Sequence, residues 1–283
     1  MTIDYDPTRS ALYKPEQRDT IFQAGQNYSE RQLAVEAARL AYFRAEKSLP
    51  EQARLTEALS RVGFSDLALF VDSATGAEAF AATRTVDGLT LLAIRGTQPD
   101  DILDLGTDLR ASMVAWPESA GRVHDGFSRA TRALVPQIRQ WIEDTKPDLD
   151  KLILTGHSLG AAMATLVATI WRPGWLITLG SPRVGDADFV ATVVPSMSVR
   201  LVDCCDVVTQ VPPPIGGYTH LNTCTYVTRD GAILEDPPQQ VIDADRVRAR
   251  REYRTHLPWK AGNVSVRGLA DHAPINYARA LFP

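Results

Sequence analysis

After Ser29 and Gln32, which are spaced as a capping box, apolar residues fall at Leu33, Ala34, Ala37, Ala38, Leu40 and Ala41. That stripe predicts a helix of about 16 residues. Ser48 ahead of Pro50 opens a second helix, with Leu55, Ala58, Leu59 and Val62 on its apolar side. The period changes at Leu67. Short β-rich runs over 67–71, 78–85 and 89–94 are separated by Ala74-Thr75-Gly76 and Asp87-Gly88, so they predict antiparallel hairpins. Helical and extended stretches then alternate: a helix over 128–144, a strand ending at Thr155, a helix to Ile170, and strands over 175–179 and 199–202. Strands that alternate with helices run parallel, because each helix carries the chain back across the sheet in a right-handed crossover. Pro212-Pro213-Pro214 and Gly216-Gly217 break the pattern, 226–234 reads as a hairpin around Asp230-Gly231, and 274–281 reads as a terminal helix. The pattern predicts an α/β fold with a mostly parallel central sheet flanked by helices, and with N-terminal helices and antiparallel strands at one edge.

With 283 residues, 45% of them hydrophobic, the chain can bury one large core. It is read as a single domain over 1–283, with a helical extension over 1–65 and a core over 89–283. A net charge of −4 and a pI near 5.8 leave no electrostatic footprint for nucleic acid, which is excluded as a partner. The N-terminus lacks the basic and apolar regions of a signal peptide, and no apolar run approaches the roughly 18 residues of a membrane span. The default expectation is a cytoplasmic protein, with export by a signal-less route left open. Cys204, Cys205 and Cys224 make an odd count without metal-ligand spacing, so buried reduced thiols, no metal and no cofactor are expected.

Chemistry concentrates where the apolar run 152–154 breaks into Gly156-His157-Ser158-Leu159-Gly160. A Gly-x-Ser-x-Gly turn between a strand and a helix is a nucleophile elbow, in which the glycines let strand and helix meet closely around a strained serine. Small residues at Ala161, Ala162 and Ala164 suit a helix pressed against strands, and its N-terminus turns positive dipole toward the serine oxygen. A serine hydroxyl needs a base, and the base needs an orienting acid. Of the five histidines, His157 points away on the turn and reads as packing beside the elbow, and His124, His220 and His256 lie in less suitable contexts. His272 stands in the loop before the last helix, where the order Ser, Asp, His of α/β-hydrolases puts the base. For the acid, Asp203 and Asp206 both lie at the carboxyl end of a strand, where open parallel sheets gather functional groups. The oxyanion donors fall to Leu159, after the nucleophile, and to Thr97, after the strand ending in Arg95-Gly96.

Together these residues resemble the class 3 lipases, an α/β-hydrolase family of filamentous-fungal triacylglycerol lipases and bacterial relatives, from about Leu89 to the C-terminus. The carrying motifs are Ile94-Arg95-Gly96-Thr97, Val123-His124-Asp125-Gly126-Phe127, the elbow from Thr155 to Ala162, and the stretch from Thr178 to Gly185 with Gly180-Ser181-Pro182-Arg183 at its centre. The resemblance favours Asp206 over Asp203, matches His272 and Tyr277 to the family's histidine and following tyrosine, and makes Tyr218-Thr219-His220 structural. It implies a serine ester hydrolase, foremost a lipase on acylglycerols, using Ser158, Asp206 and His272 with Thr97 and Leu159 as the oxyanion hole. The substrate is then a lipid or ester small molecule, met in transient contact with a lipid interface. A short-chain carboxylesterase, a phospholipase A1 and a feruloyl-type esterase are the alternatives, and a non-catalytic lipid-binding protein is the remote one. The chain departs from the family at 99–109, where a lid is expected. That segment has a narrow apolar stripe (Ile102, Leu103, Leu105, Leu109) and no tryptophan, so weak interfacial activation is expected. The first 60 or so residues and the basic stretch 246–254 with Trp259 have no family counterpart; both read as added helices, covering the site or packing as solvated helices, the charge run favouring the latter.

Overall fold

The structure, a computed structural model, describes residues 3–96, 112–221 and 224–282. Thr97 and the segment 99–109 lie outside the described residues. β1 (Ser65–Asp72), β2 (Ala77–Arg84) and β3 (Leu89–Ile94) form an antiparallel meander, and β4 (Met113–Ala115) with β5 (Arg122–His124) makes a separate two-stranded ribbon. β6 (Leu152–His157), β7 (Trp175–Leu179), β8 (Met197–Asp203) and β9 (Thr225–Val227) extend the sheet in parallel from β3. β10 (Ile233–Glu235) ends it antiparallel, as the hairpin expected around Asp230-Gly231. Among the described residues the main sheet therefore has eight strands in the order β1-β2-β3-β6-β7-β8-β9-β10. The short ribbon β4–β5, with only three residues per strand, carries too little periodicity to be seen in the sequence.

Every residue of β6 is buried, because a central parallel strand is covered on both faces. Side chains alternate between those faces. Leu91, Ala93, Ile153 and Ile177 meet α1 (Arg9–Tyr13), α2 (Glu30–Leu40), α3 (Leu49–Ser60) and the C-terminal segment. Leu92, Ile94, Leu154 and Leu176 meet α4 (Asp125–Thr145) and α5 (Leu159–Trp171). The first 60 residues are thus the cover of one face of the sheet and contribute Leu12, Phe22, Leu33 and Leu40 to its core. Ser29 and Gln32 form both halves of the capping box, but α2 stops at Leu40 rather than running to 16 residues. Its last turn tightens, with Tyr42 N–H donating to the Arg39 carbonyl, and this directs Tyr42 toward the elbow.

The remaining helices are α6 (Ala187–Thr192), α7 (Gln239–His256), α8 (Arg267–Ala270) and α9 (Pro274–Ala278). α7 contains the basic stretch and buries only Ile242, Ala249 and Tyr253, so it is a solvated packing helix most of whose charges face water, while Asp245 and Arg246 turn toward the sheet. Trp259 beyond it is 84% exposed. Cys204 and Cys205 are buried free thiols, and Cys224 is half-buried.

Candidate active site

The chain leaves β6 and enters α5 through Ser158, whose φ of 59° and ψ of −126° lie where residues with a side chain rarely go. Such strain costs on the order of 1–3 kcal/mol and persists only when neighbours impose it. Here the Ser158 N–H donates to the Leu179 carbonyl at 3.0 Å, and its own carbonyl accepts from Ala161 at 3.0 Å. A Cβ on Gly156 would collide with the main chain of Gly160, and one on Gly160 with the Ile94 carbonyl, so only glycine lets strand and helix close up. Leu159 occupies the first helical position, where an N–H has no intrahelical acceptor, so this donor and the helix dipole are available beside the serine oxygen.

The Ser158 hydroxyl lies 3.0 Å from His272 Nε2, and His272 Nδ1 lies 2.8 Å from Asp206 Oδ2. The Tyr277 hydroxyl donates to the same Oδ2 at 2.5 Å, and the Val208 N–H donates to Asp206 Oδ1 at 2.8 Å. Ser158, Asp206, His272 and Tyr277 are all buried. Burial and the Asp206 charge hold the Tyr277 hydroxyl well above its ordinary pKa, so it keeps its proton and acts as a donor. The structure therefore brings the serine, histidine and one of the two candidate aspartates into a single hydrogen-bonded line. Asp203 is directed elsewhere: its Oδ1 meets Arg279 Nη2 at 3.1 Å, and burial pushes its carboxyl well above the usual range. Gly96, the last described residue before Thr97, lies with its main chain against the elbow, since a Cβ there would sit 3.2 Å from Ser158 Cβ.

Sequence reasoning placed His157 beside the elbow without finding its partners, and it did not single out Tyr42 or Gly180. His157 packs its ring beside His272 at a centroid distance of 4.4 Å, and its Nε2–H donates to the His272 carbonyl at 2.8 Å. That contact fixes the tautomer, so Nδ1 accepts from the Tyr42 hydroxyl at 2.8 Å. Burial and the neighbouring His272 drive the His157 pKa well down, which keeps the ring neutral as this double role requires. Tyr42 comes from the end of α2, and no spacing rule relates it to a histidine 115 residues away. Gly180, at φ +58°, lies under the acid–base contact; a Cβ there would come within 2.8 Å of Asp206 Oδ2 and 3.1 Å of His272 Nδ1. Only its position in the motif after β7 hinted at it.

The other histidines have separate duties. His124 Nδ1 caps α4 by accepting from Gly126 N–H at 3.1 Å, and His220 Nε2 donates to the Thr209 carbonyl at 2.8 Å. Cys204, Cys205 and Asp271 lie close enough to suggest a ligand cluster. Asp271 is already engaged, however, by the Tyr5 hydroxyl at 2.8 Å, the Cys205 N–H at 2.9 Å and Arg267 Nε at 3.1 Å. Its charge is answered inside the protein.

Residues 91–215 match the family described as lipase (class 3). The chain is 32% identical over 160 residues to secreted mono- and diacylglycerol lipase 1 of Fusarium solani, covering 53% of this chain and 47% of that one. It is 34% identical over 102 residues to secreted mono- and diacylglycerol lipase A of Penicillium cyclopium, covering 34% of this chain and 33% of that one. The matched stretch spans less than half the length of either relative. Among solved structures, lipase II from Rhizopus niveus superposes with a TM-score of 0.56 at 22% identity, over 70% of this chain and 79% of that one, and so shares the fold. These comparisons overturn the cytoplasmic expectation, because the relatives are secreted proteins by name. The expectation rested on sequence features missing from the first residues, and those do not determine where the protein acts. No helix among the described residues is long and apolar enough to cross a membrane.

Proposed function

Since residues 91–215 match the class 3 lipase family, we propose that the protein hydrolyses carboxylic esters of acylglycerols through an acyl-enzyme on Ser158. The carrying observation is the buried line Ser158–His272–Asp206, at 3.0 and 2.8 Å. In this reading His272 Nε2 takes the hydroxyl proton as Ser158 Oγ bonds to the ester carbonyl carbon. Asp206 orients the ring through Nδ1 and stabilises the imidazolium. The developing oxyanion is met by the Leu159 N–H and by Thr97. Collapse of the tetrahedral intermediate breaks the carbonyl–alkoxy bond, and His272 returns its proton to the departing glyceride oxygen. Water, deprotonated by the same histidine, then attacks the acyl carbon, and His272 returns the proton to Ser158 Oγ as the acyl–serine bond breaks and the fatty acid leaves. The Tyr277 hydroxyl and the Val208 N–H each donate to one oxygen of Asp206, which keeps its carboxylate from rotating off the ring.

Mono- and diacylglycerols are the proposed substrates, supported by the names of the two secreted relatives. The test is hydrolysis of monoolein, diolein, triolein and a phosphatidylcholine by wild type and by Ser158→Ala, with intact-mass analysis after a fluorophosphonate. Expected are preferred cleavage of partial glycerides, a single adduct on Ser158, and a loss on the order of 10⁴-fold or more in the variant. An adduct on another residue, or an active Ser158→Ala protein, overturns the reading.

A further inference from the structure

Between β8 and α7 lies a cavity of about 430 Å³, within the size range of small-ligand sites. Arg183, Arg200 and Arg246 line it together with His220, Gln239 and Cys224, and among the described residues no acidic one does. Among the described residues none of the three arginines pairs with a carboxylate; each is tethered instead to main-chain carbonyls. Arg183 Nη1 donates to Gln210 at 2.6 Å and to Pro212 at 2.8 Å, Arg200 Nε to Leu221 at 3.1 Å, and Arg246 Nε to Cys204 at 2.8 Å. One nitrogen of each guanidinium is thereby fixed, while among the described residues the other donors of the planar fork have no protein acceptor. Half-buried charges are normally paired, and three of one sign around one cavity repel each other. The protein registers that field: burial together with Arg200 and Arg183 pushes the His220 pKa down to about 3. Among the described residues His220 Nδ1 also has no hydrogen-bond partner.

From these residues we infer that the cavity binds a compact, multiply charged oxyanion of the phosphate class, free or as the phosphate of a lipid headgroup, held by the unbonded guanidinium nitrogens of Arg183, Arg200 and Arg246. Preset guanidinium forks match the geometry of phosphate oxygens. The wall offers only Val202 and Ile242 as aliphatic surface, so an acyl chain has nowhere to lie and the anionic group itself is what is recognised. None of Ser158, Asp206 and His272 lines the cavity, so this binding stands or falls independently of the ester chemistry.

The test is titration calorimetry of the full chain with inorganic phosphate, in zwitterionic buffer at constant ionic strength. One saturable site is expected. Arg200→Met should weaken it by about tenfold or more, the usual effect of losing a charged hydrogen bond. Arg246→Gln, on a solvated helix, serves where Arg200→Met fails to fold, and Arg250→Gln, at an exposed position of α7, should bind as wild type does. Flotation with phosphatidylcholine vesicles, with and without phosphatidic acid, separates the sources. Uptake that needs both phosphatidic acid and Arg246 assigns a lipid headgroup, and phosphate binding without vesicle uptake assigns the free anion. No saturable phosphate binding, or binding that neither variant weakens, overturns the inference.

Discussion

Asp203 and Asp206 stand three positions apart in one turn, yet their partners differ in kind. Asp206 faces the imidazole of His272, whereas Asp203 faces the guanidinium of Arg279. Asp206→Asn should therefore lower kcat on the order of 10⁴-fold with little change in melting temperature, since an amide favours the wrong tautomer and cannot stabilise the imidazolium. Asp203→Asn should do the reverse, lowering melting temperature while leaving most of kcat. Equal kinetic losses in two folded variants would refute the division of roles. Tyr42 acts one step further out, through the His157 ring onto the His272 carbonyl. Tyr42→Phe removes one buried hydrogen bond, worth about 1 kcal/mol, so kcat should fall by up to about fivefold at unchanged KM. A change in KM alone would argue that Tyr42 touches substrate instead.

At the scale of elements, α2 shows how an amphipathic reading misses a buried charge pair. Its apolar stripe is buried as expected, but Glu36 and Arg39 are buried as well. Arg39 reaches Glu36 through Nε at 2.7 Å and Nη2 at 2.6 Å, and Glu36 also accepts from the Thr20 hydroxyl and the Ile21 N–H at 2.8 Å each. The pair fastens the segment before α2 to the helix. Arg39→Met would leave the Glu36 carboxylate buried and unpaired, which costs about 3–5 kcal/mol. The urea midpoint, followed by far-ultraviolet circular dichroism, should drop accordingly, and an unshifted midpoint would mean the pair contributes nothing to holding α2 in place. Because Tyr42 follows directly on the end of α2, loosening the helix should reach the elbow.

The two ends of the chain are clasped around the loop that carries His272. The Tyr5 hydroxyl holds Asp271, while the Asp6 N–H and carbonyl hold the Asn276 side chain, each at 2.8 Å. Stability of the whole molecule should also depend on its buried histidines. His220 has a folded pKa of about 3, against 6.5 for an ordinary histidine. Between those values the unfolded chain binds a proton that the folded chain refuses, so stability falls as pH drops through the window, by about 1.4 kcal/mol per pH unit for this group. Replacing it by glutamine, whose amide can still donate to Thr209, should flatten the acid limb. The raised pKa values of Asp203 and Asp271 act in the opposite sense but are common to both proteins. Urea midpoints from pH 4 to 7 in phosphate-free buffer check this, and parallel acid limbs in the two proteins would refute it.

Periodicity and turn chemistry were enough to locate the strand–helix alternation, the hairpins at both edges and the elbow at Ser158, because those signals are written within a dozen neighbouring residues and each element buries its face locally. Chain order pointed to His272 for a similar reason, since the succession of crossovers leaves its loop at the carboxyl edge of the sheet. Contacts between distant residues required the folded chain. Position at the end of β8 left Asp203 and Asp206 open and only the family resemblance favoured Asp206; the fold separates them by which one the end of β8 presents to a histidine 66 residues away. Tyr42 against His157, Gly180 beneath the acid–base contact, Glu36 with Arg39 inside the core, and three unpaired arginines around one cavity are likewise products of tertiary packing. Spacing along a chain encodes which side of an element is apolar; it carries no information about which polar group will arrive on the other side of the interface.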